Sequence, residues 1–149
     1  MLTNSKKELL QDFRQICRRH NLRVTPQRVL IYKELLKSED HPSADALYER
    51  ISKSHPDISF DTVYRTLATF AELGFIDQIA GFGTSMRFDP KIGQHHHFRC
   101  RQCGRIIDFE SDCYNKSAIP KDIAKECEVL KLRITLEGFC RKCKKKGNK

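Results

Sequence analysis

Four of the seven cysteines form two Cys-x-x-Cys pairs, Cys100/Cys103 and Cys140/Cys143, and the triplet His95-His96-His97 lies just upstream of the first. Each pair can offer two thiolates to one ion from a tight turn, and two such turns complete a tetrahedral four-thiolate zinc site. A pair of disulfides or a rubredoxin-like iron site would use the same residues. The 36 residues between the pairs exceed the spacing of a simple zinc ribbon, so a folded domain must bring them together. Side chains alternate along an extended strand, so His95 and His97 share a face and His96 points away. Two imidazoles at i and i+2 can hold one metal, and Asp89 and Asp108 could join them. A histidine cluster braced by a zinc knuckle suggests a second, responsive metal site.

Composition bounds what must position these groups. The chain of 149 residues has 39% apolar residues and no tryptophan, which suits two small cores better than one large one. No apolar run approaches the ~18 residues of a membrane span. The first twenty residues are charged and helix-periodic, without the apolar stretch of a secretory signal, so a cytoplasmic location is expected. In a reducing compartment this cysteine usage reads as metal binding. Cys17, Cys113 and Cys127 are left over and are expected to be buried or partly buried thiols.

The net charge is +9, which invites an anionic partner. Residues 1–80 hold 12 basic and 11 acidic side chains, and residues 81–149 hold 16 and 8, so bulk charge does not locate a DNA-binding face. Residues 1–28 are more informative: Lys6, Lys7, Arg14, Arg18, Arg19, Arg23 and Arg28 stand against Glu8 and Asp12. Such a segment can neutralise phosphates.

Apolar spacing predicts a helix over Lys6–His20, with Leu9, Leu10, Phe13, Ile16 and Cys17 in one stripe. Thr25-Pro26 begins a second, Ser43 caps a third, and Ser59 caps a fourth that Gly74 stops. Strands over Phe75–Ile79 and Ser85–Asp89 then form a hairpin, the pattern of a winged helix-turn-helix. Beyond it, strands are expected at Phe98–Cys100, Arg105–Phe109 and Val129–Leu136, with a helix near Pro120–Glu126. The fold class is therefore α+β: a winged-helix domain over 1–81 and an α/β, metal-binding domain over 82–149. On the fourth helix Val63, Leu67, Phe70 and Ala71 face the core, while Thr62, Tyr64, Arg65, Ala68 and Thr69 face out. Arg65 can take guanine bidentately, and Thr62 and Tyr64 suit phosphate or thymine-methyl contacts.

The motifs occur in a recognisable order: Arg23-Val24-Thr25-Pro26-Gln27-Arg28, His41-Pro42-Ser43-Ala44-Asp45, Ser59-x-x-Thr62-Val63-Tyr64-Arg65-Thr66-Leu67 and Gly74-Phe75-Ile76. Arg87-Phe88-Asp89, the His95-to-Gly104 run, Ile106-Ile107-Asp108-Phe109 and Gly138-x-Cys140-x-x-Cys143 follow. Over nearly its whole length the chain resembles the ferric uptake regulator (Fur) family of bacterial transcription factors. The resemblance implies a homodimer joined through its C-terminal α/β dimerisation domains that binds double-stranded operator DNA through winged-helix domains, with Arg23, Thr62, Tyr64 and Arg65 at the DNA. It implies structural Zn2+ on Cys100, Cys103, Cys140 and Cys143. It also implies regulatory Fe2+ or Mn2+ on His41, Asp89, His95, His97 and Asp108. Aspartate at 108 leans toward the peroxide-sensing PerR branch, in which His41 or His95 would be oxidised to 2-oxo-histidine and repression would end. Arg65 resembles the iron-regulator version of the recognition helix, so an iron- or zinc-responsive repressor is the alternative. Residues 129–136 hold no histidine, so no auxiliary metal site is expected there. A metalloenzyme would need a positioned acid or base beside an open metal position; the chain shows no His-Glu-x-x-His motif and no evident base. A zinc-stapled interaction domain without a DNA role would leave the basic segment and the Tyr64-Arg65 helix unexplained.

Overall fold

The structure is a computed structural model that describes residues 6–80, 85–116 and 119–145. The chain divides into two compact units, Met1–Ile92 and Gly93–Lys149. This division lies beyond the 81/82 boundary expected from sequence, because the second hairpin strand is paired with the first and stays in its unit.

The first unit holds α1 (Lys6–Arg19), α2 (Pro26–Lys37), α3 (Ala44–Ser52), α4 (Phe60–Glu72), β1 (Asp77–Ala80) and β2 (Met86–Asp89). The helix starts are set by their caps. The side chains of Thr25, Ser43 and Ser59 accept from the N–H groups of Arg28, Ala46 and Thr62 at 3.2, 3.2 and 3.1 Å. Each cap satisfies an orphan donor and contributes about 1 kcal/mol. At the other end of α4, Gly74 takes φ +77, and the N–H of Phe75 returns to the carbonyl of Phe70 at 2.9 Å. That reversal drops Phe75 into the core.

The core is aromatic. Phe13 of α1 stacks on Tyr32 at 4.5 Å and meets Phe70 and Phe75 edge-on at 5.2 and 5.7 Å. Leu35, Leu47, Val63, Leu67 and Phe88 complete it, all essentially inaccessible. β1 and β2 pair antiparallel with Gln78 opposite Phe88. The expected strands Phe75–Ile79 and Ser85–Asp89 are thus displaced by a residue or two, and the connection over 81–84 lies outside the described residues.

The second unit contains β3 (His96–Cys100), β4 (Ile106–Phe109), α5 (Asp112–Asn115), α6 (Lys121–Glu126), β5 (Thr135–Gly138) and α7 (Arg141–Lys144). Its sheet has the order β4-β3-β5, with β3 antiparallel to β4 and parallel to β5. Parallel neighbours run the same way, so the turns after β3 and β5 arrive at one edge, and there the cysteines meet. Cys100, Cys140 and Cys143, packed with Phe98, are the unit's buried apolar cluster.

The strand expected over Val129–Leu136 begins only at Thr135. The carbonyl of Ile134 still accepts from the N–H of His97 at 3.0 Å, but two earlier main-chain groups bond to side chains instead. The carbonyl of Leu132 accepts from the Gln94 side chain at 2.8 Å, and the N–H of Ile134 donates to Nδ1 of His96 at 3.2 Å. Cys17 is buried as expected, but Cys113 and Cys127 are exposed. They lie on α5 and just past α6, two short helices without a buried residue.

Candidate metal centres

The four cysteine sulfurs lie within 4.8 Å of one another, with Cys100, Cys140 and Cys143 buried and Cys103 exposed. In a tetrahedral zinc thiolate with bonds near 2.3 Å, sulfurs stand about 3.8 Å apart. Cys103 Sγ and Cys140 Sγ stand 3.8 Å apart. The backbone prepares one sulfur for negative charge: the N–H of Cys140 donates to Cys100 Sγ at 3.3 Å. Main-chain N–H donors at Cys103 and Cys140 pull the Cys100 thiol down to about 6. The N–H of Cys143 lowers Cys140 as well. Burial pushes Cys143 up to about 12. A divalent cation that drew all four to thiolates would satisfy this mixed set, and the donor set fits zinc.

A second group sits on the sheet of the same unit. His95 Nδ1 lies 2.6 Å from the carbonyl of Gly93, so it carries the proton and leaves the lone pair on Nε2. That atom is 3.0 Å from Nε2 of His97. Two nitrogens each about 2.1 Å from one ion and at a right angle would be about 3.0 Å apart. Asp108 is the register partner of His97 across β3 and β4. Its carboxylate reaches His97 Nε2 at 3.3 Å and His95 Nε2 at 3.9 Å. Both imidazoles are fully buried, while Asp108 is partly open.

His96 faces the other way, as alternation requires. Its Nδ1 accepts from the N–H of Ile134, so its Nε2 donates to Oδ1 of Asn115 at 2.9 Å. The ring packs on Phe109 and Tyr114. Both nitrogens are committed to the fold, so His96 is no ligand. Sequence reading gave no sign of Asn115 or of the Gly93 carbonyl, since both act through a position only the fold creates.

In the first unit His41 Nε2 and Asp89 Oδ2 lie 3.6 Å apart, both buried. His41 adopts φ 50, a left-handed backbone state uncommon for a side-chain-bearing residue. Of the five sequence-predicted ligands, His41 and Asp89 belong to the first unit, and His95, His97 and Asp108 to the second.

The residues expected at DNA are all on the first unit. Arg23 is exposed just before α2, and its carbonyl accepts from Arg28 Nη1 at 2.6 Å. On α4, Tyr64 and Arg65 are exposed and Thr62 is half-buried, its hydroxyl 2.8 Å from that of Ser59. Val63, Thr66, Leu67 and Phe70 form the buried face. Among the described residues no helix is long and apolar enough to cross a membrane.

Known proteins give the same reading of the architecture. A Peroxide-responsive repressor PerR of Staphylococcus epidermidis is 33% identical over 131 residues, spanning 88% of this chain and 87% of that one. The structure of the Helicobacter pylori ferric uptake regulator, described as having three functional metal binding sites, superposes with a TM-score of 0.76 at 21% identity, covering 95% of each chain. The PerR of Streptococcus pyogenes, whose structure is described as a basis for peroxide sensing and gene regulation, gives a TM-score of 0.52 at 25% identity over 91% of this chain and 92% of that one. The sequence model of the ferric uptake regulator family matches residues 19–137, and the chain belongs to that family.

Proposed function

We propose that this chain is a metal-dependent, homodimeric, DNA-binding repressor that responds to hydrogen peroxide and acts in the cytoplasm rather than as an enzyme. The observation that carries the reading is the convergence of His95 Nε2 and His97 Nε2 at 3.0 Å beside the Asp108 carboxylate. It occurs in a chain 33% identical to a peroxide-responsive repressor.

Two imidazoles and one carboxylate fill three positions, and His41 with Asp89 offers two more. One regulatory ion held by all five has a nitrogen–oxygen set suited to Fe(II) or Mn(II), while the four thiolates hold structural zinc. Neither group alone completes a five-donor set, which favours a single shared ion. An ion that binds only when both groups face it favours whichever arrangement of the units supplies both, and that is sufficient to switch DNA binding. Arg23, Thr62, Tyr64 and Arg65 make the DNA contacts in this reading, Arg65 to a base and the others mainly to backbone.

Bound Fe(II) would supply the reduction of hydrogen peroxide that Mn(II) does not. His41 and His95 are the residues proposed to take up oxygen. The buried imidazole of His95, fixed by its Gly93 hydrogen bond, cannot rotate away from a ligating position. The test compares zinc-replete protein carrying Fe(II) or Mn(II) after brief peroxide exposure, by peptide mass spectrometry with operator binding measured in parallel. One added oxygen on His41 or His95 with iron only, together with lost DNA binding, is the expected result. Unmodified histidines with metal-dependent DNA binding intact would reassign the protein as an iron- or zinc-level regulator.

A further inference from the structure

The loop that carries His41 is held by groups outside the proposed ligand set. His41 sits at φ 50, a conformation that side-chain-bearing residues keep only when their surroundings enforce it. Arg87 on β2 meets the loop's carbonyls. Its Nε donates to the carbonyl of His41, and its Nη2 donates to the carbonyl of Asp40 at 2.7 Å. The next residue on the strand, Phe88, donates its N–H to the carbonyl of Pro42 at 3.0 Å. Three successive carbonyls are therefore taken by two adjacent residues of the wing.

The far side of the loop is fixed as well. Arg50 of α3 grips the Asp40 carboxylate with both Nη atoms, at 3.0 and 2.5 Å, and reaches Ser38 Oγ at 3.0 Å. Two residues beyond Arg87, on the same face of β2, comes Asp89, whose carboxylate is 3.6 Å from His41 Nε2. One strand thus supplies a carboxylate and fixes the backbone of the imidazole beside it.

We propose that Arg87 is a positioning residue for His41, holding its backbone left-handed so that the imidazole already stands beside Asp89 before a metal ion arrives. This rests on the reading of His41 as a ligand of the regulatory ion. The role needs arginine rather than positive charge alone, because the rigid guanidinium fork presents Nε and Nη2 at a fixed spacing to two adjacent carbonyls. A lysine keeps the charge, but its three donors radiate from one atom at the end of a flexible stem.

The experiment measures Mn(II) affinity of the zinc-replete protein, by the electron paramagnetic resonance signal of free Mn(II), for wild type, Arg87→Lys, His41→Ala and the double variant. Arg87→Lys is expected to weaken Mn(II) binding tenfold or more, the range of supporting residues around metal ligands, with zinc content and circular dichroism unchanged. In the His41→Ala background the same change is expected to have no further effect, which a general loss of stability would not reproduce. Wild-type affinity in Arg87→Lys, or an equal loss in both backgrounds, would overturn the proposal while leaving His41 a ligand. Unchanged affinity in His41→Ala would remove His41 from the ligand set and take the proposal with it. If Arg87→Lys does not fold, Arg50→Lys loosens the same loop from α3: weakened Mn(II) binding that depends on His41 supports the proposal, and wild-type affinity overturns it.

Discussion

Arg65 and Asp61 stand one turn apart on the outer face of α4, with Arg65 Nε 2.9 Å from one carboxylate oxygen and 3.1 Å from the other. At 78% and 68% exposure the pair contributes only about 0.3–0.5 kcal/mol to the helix. With Nε engaged, the two Nη atoms form the outward end of the side chain, the fork that fits guanine. Arg65→Ala is expected to weaken operator binding by about 1–3 kcal/mol, read by fluorescence anisotropy on a labelled duplex. Asp61→Ala removes a negative charge from the same face and is expected to leave affinity equal or raise it. Weaker binding in that variant would show that the carboxylate orients Arg65 for its base.

The thiolate centre should behave as a core element. Cys143→Ser removes one donor from a cluster that, among the described residues, otherwise holds Phe98, Cys100 and Cys140. Zinc is expected to be lost, and with it the β3–β5 pairing, while the aromatic core of the first unit still gives its own melting transition. Calorimetry showing a single unchanged transition would refute the structural role. Burial pushes Cys143 up to about 12, so protons compete with zinc at that sulfur. Chelator-driven zinc release should therefore quicken as pH falls, measured with a colorimetric zinc indicator.

Adjacent histidines should separate cleanly by role. His97→Ala is expected to abolish tight Mn(II) binding with modest change in stability. His96→Ala removes hydrogen bonds to Asn115 and from Ile134, leaving a partly buried amide donor without its acceptor, at a cost of about 1 kcal/mol. Its Mn(II) stoichiometry should remain that of wild type. Paired titrations and thermal melts check both, and lost Mn(II) stoichiometry in a folded His96→Ala protein would contradict the tautomer assigned here.

Tyr32 supplies a pH test. It is 5% exposed and stacked on Phe13, and burial, helped by the charge of Asp12, pushes its hydroxyl from 10.0 up to about 12. Between those values the unfolded chain has lost the proton and the folded chain has kept it, so stability falls as pH rises. The contribution is fully present below pH 10 and lost by about 12. Tyr32→Phe should remove that share of the alkaline loss, roughly 2 kcal/mol, seen as a flatter melting temperature against pH above 9. Parallel wild-type and variant curves would refute it.

The helices were legible because their signals are local. Thr25, Ser43 and Ser59 cap where expected, and the apolar stripe of α1 buries Phe13 and Cys17 as its period demands. The cysteine cluster was legible from spacing, and the opposite facing of His96 from strand alternation. What failed depends on distant partners. Ile134 reads as strand, yet its amide serves a histidine 38 residues earlier. Short α5 and α7 bury too little for periodicity to mark them. The left-handed turn at His41 could not be read locally, since the donor to its carbonyl, Arg87, lies 46 residues away on β2.

The parallel pairing of β3 with β5 fixes an order of maturation. The groups that pack the first unit are all in place once residue 92 has been made. The sheet of the second must wait for Thr135 before β3 gains its parallel neighbour, and for Cys143 before the last thiolate exists. Until then His95 and His97 ride on a strand paired on one edge at most. During synthesis α4 is therefore finished well before β3 gains its second neighbour and before the four cysteines can meet.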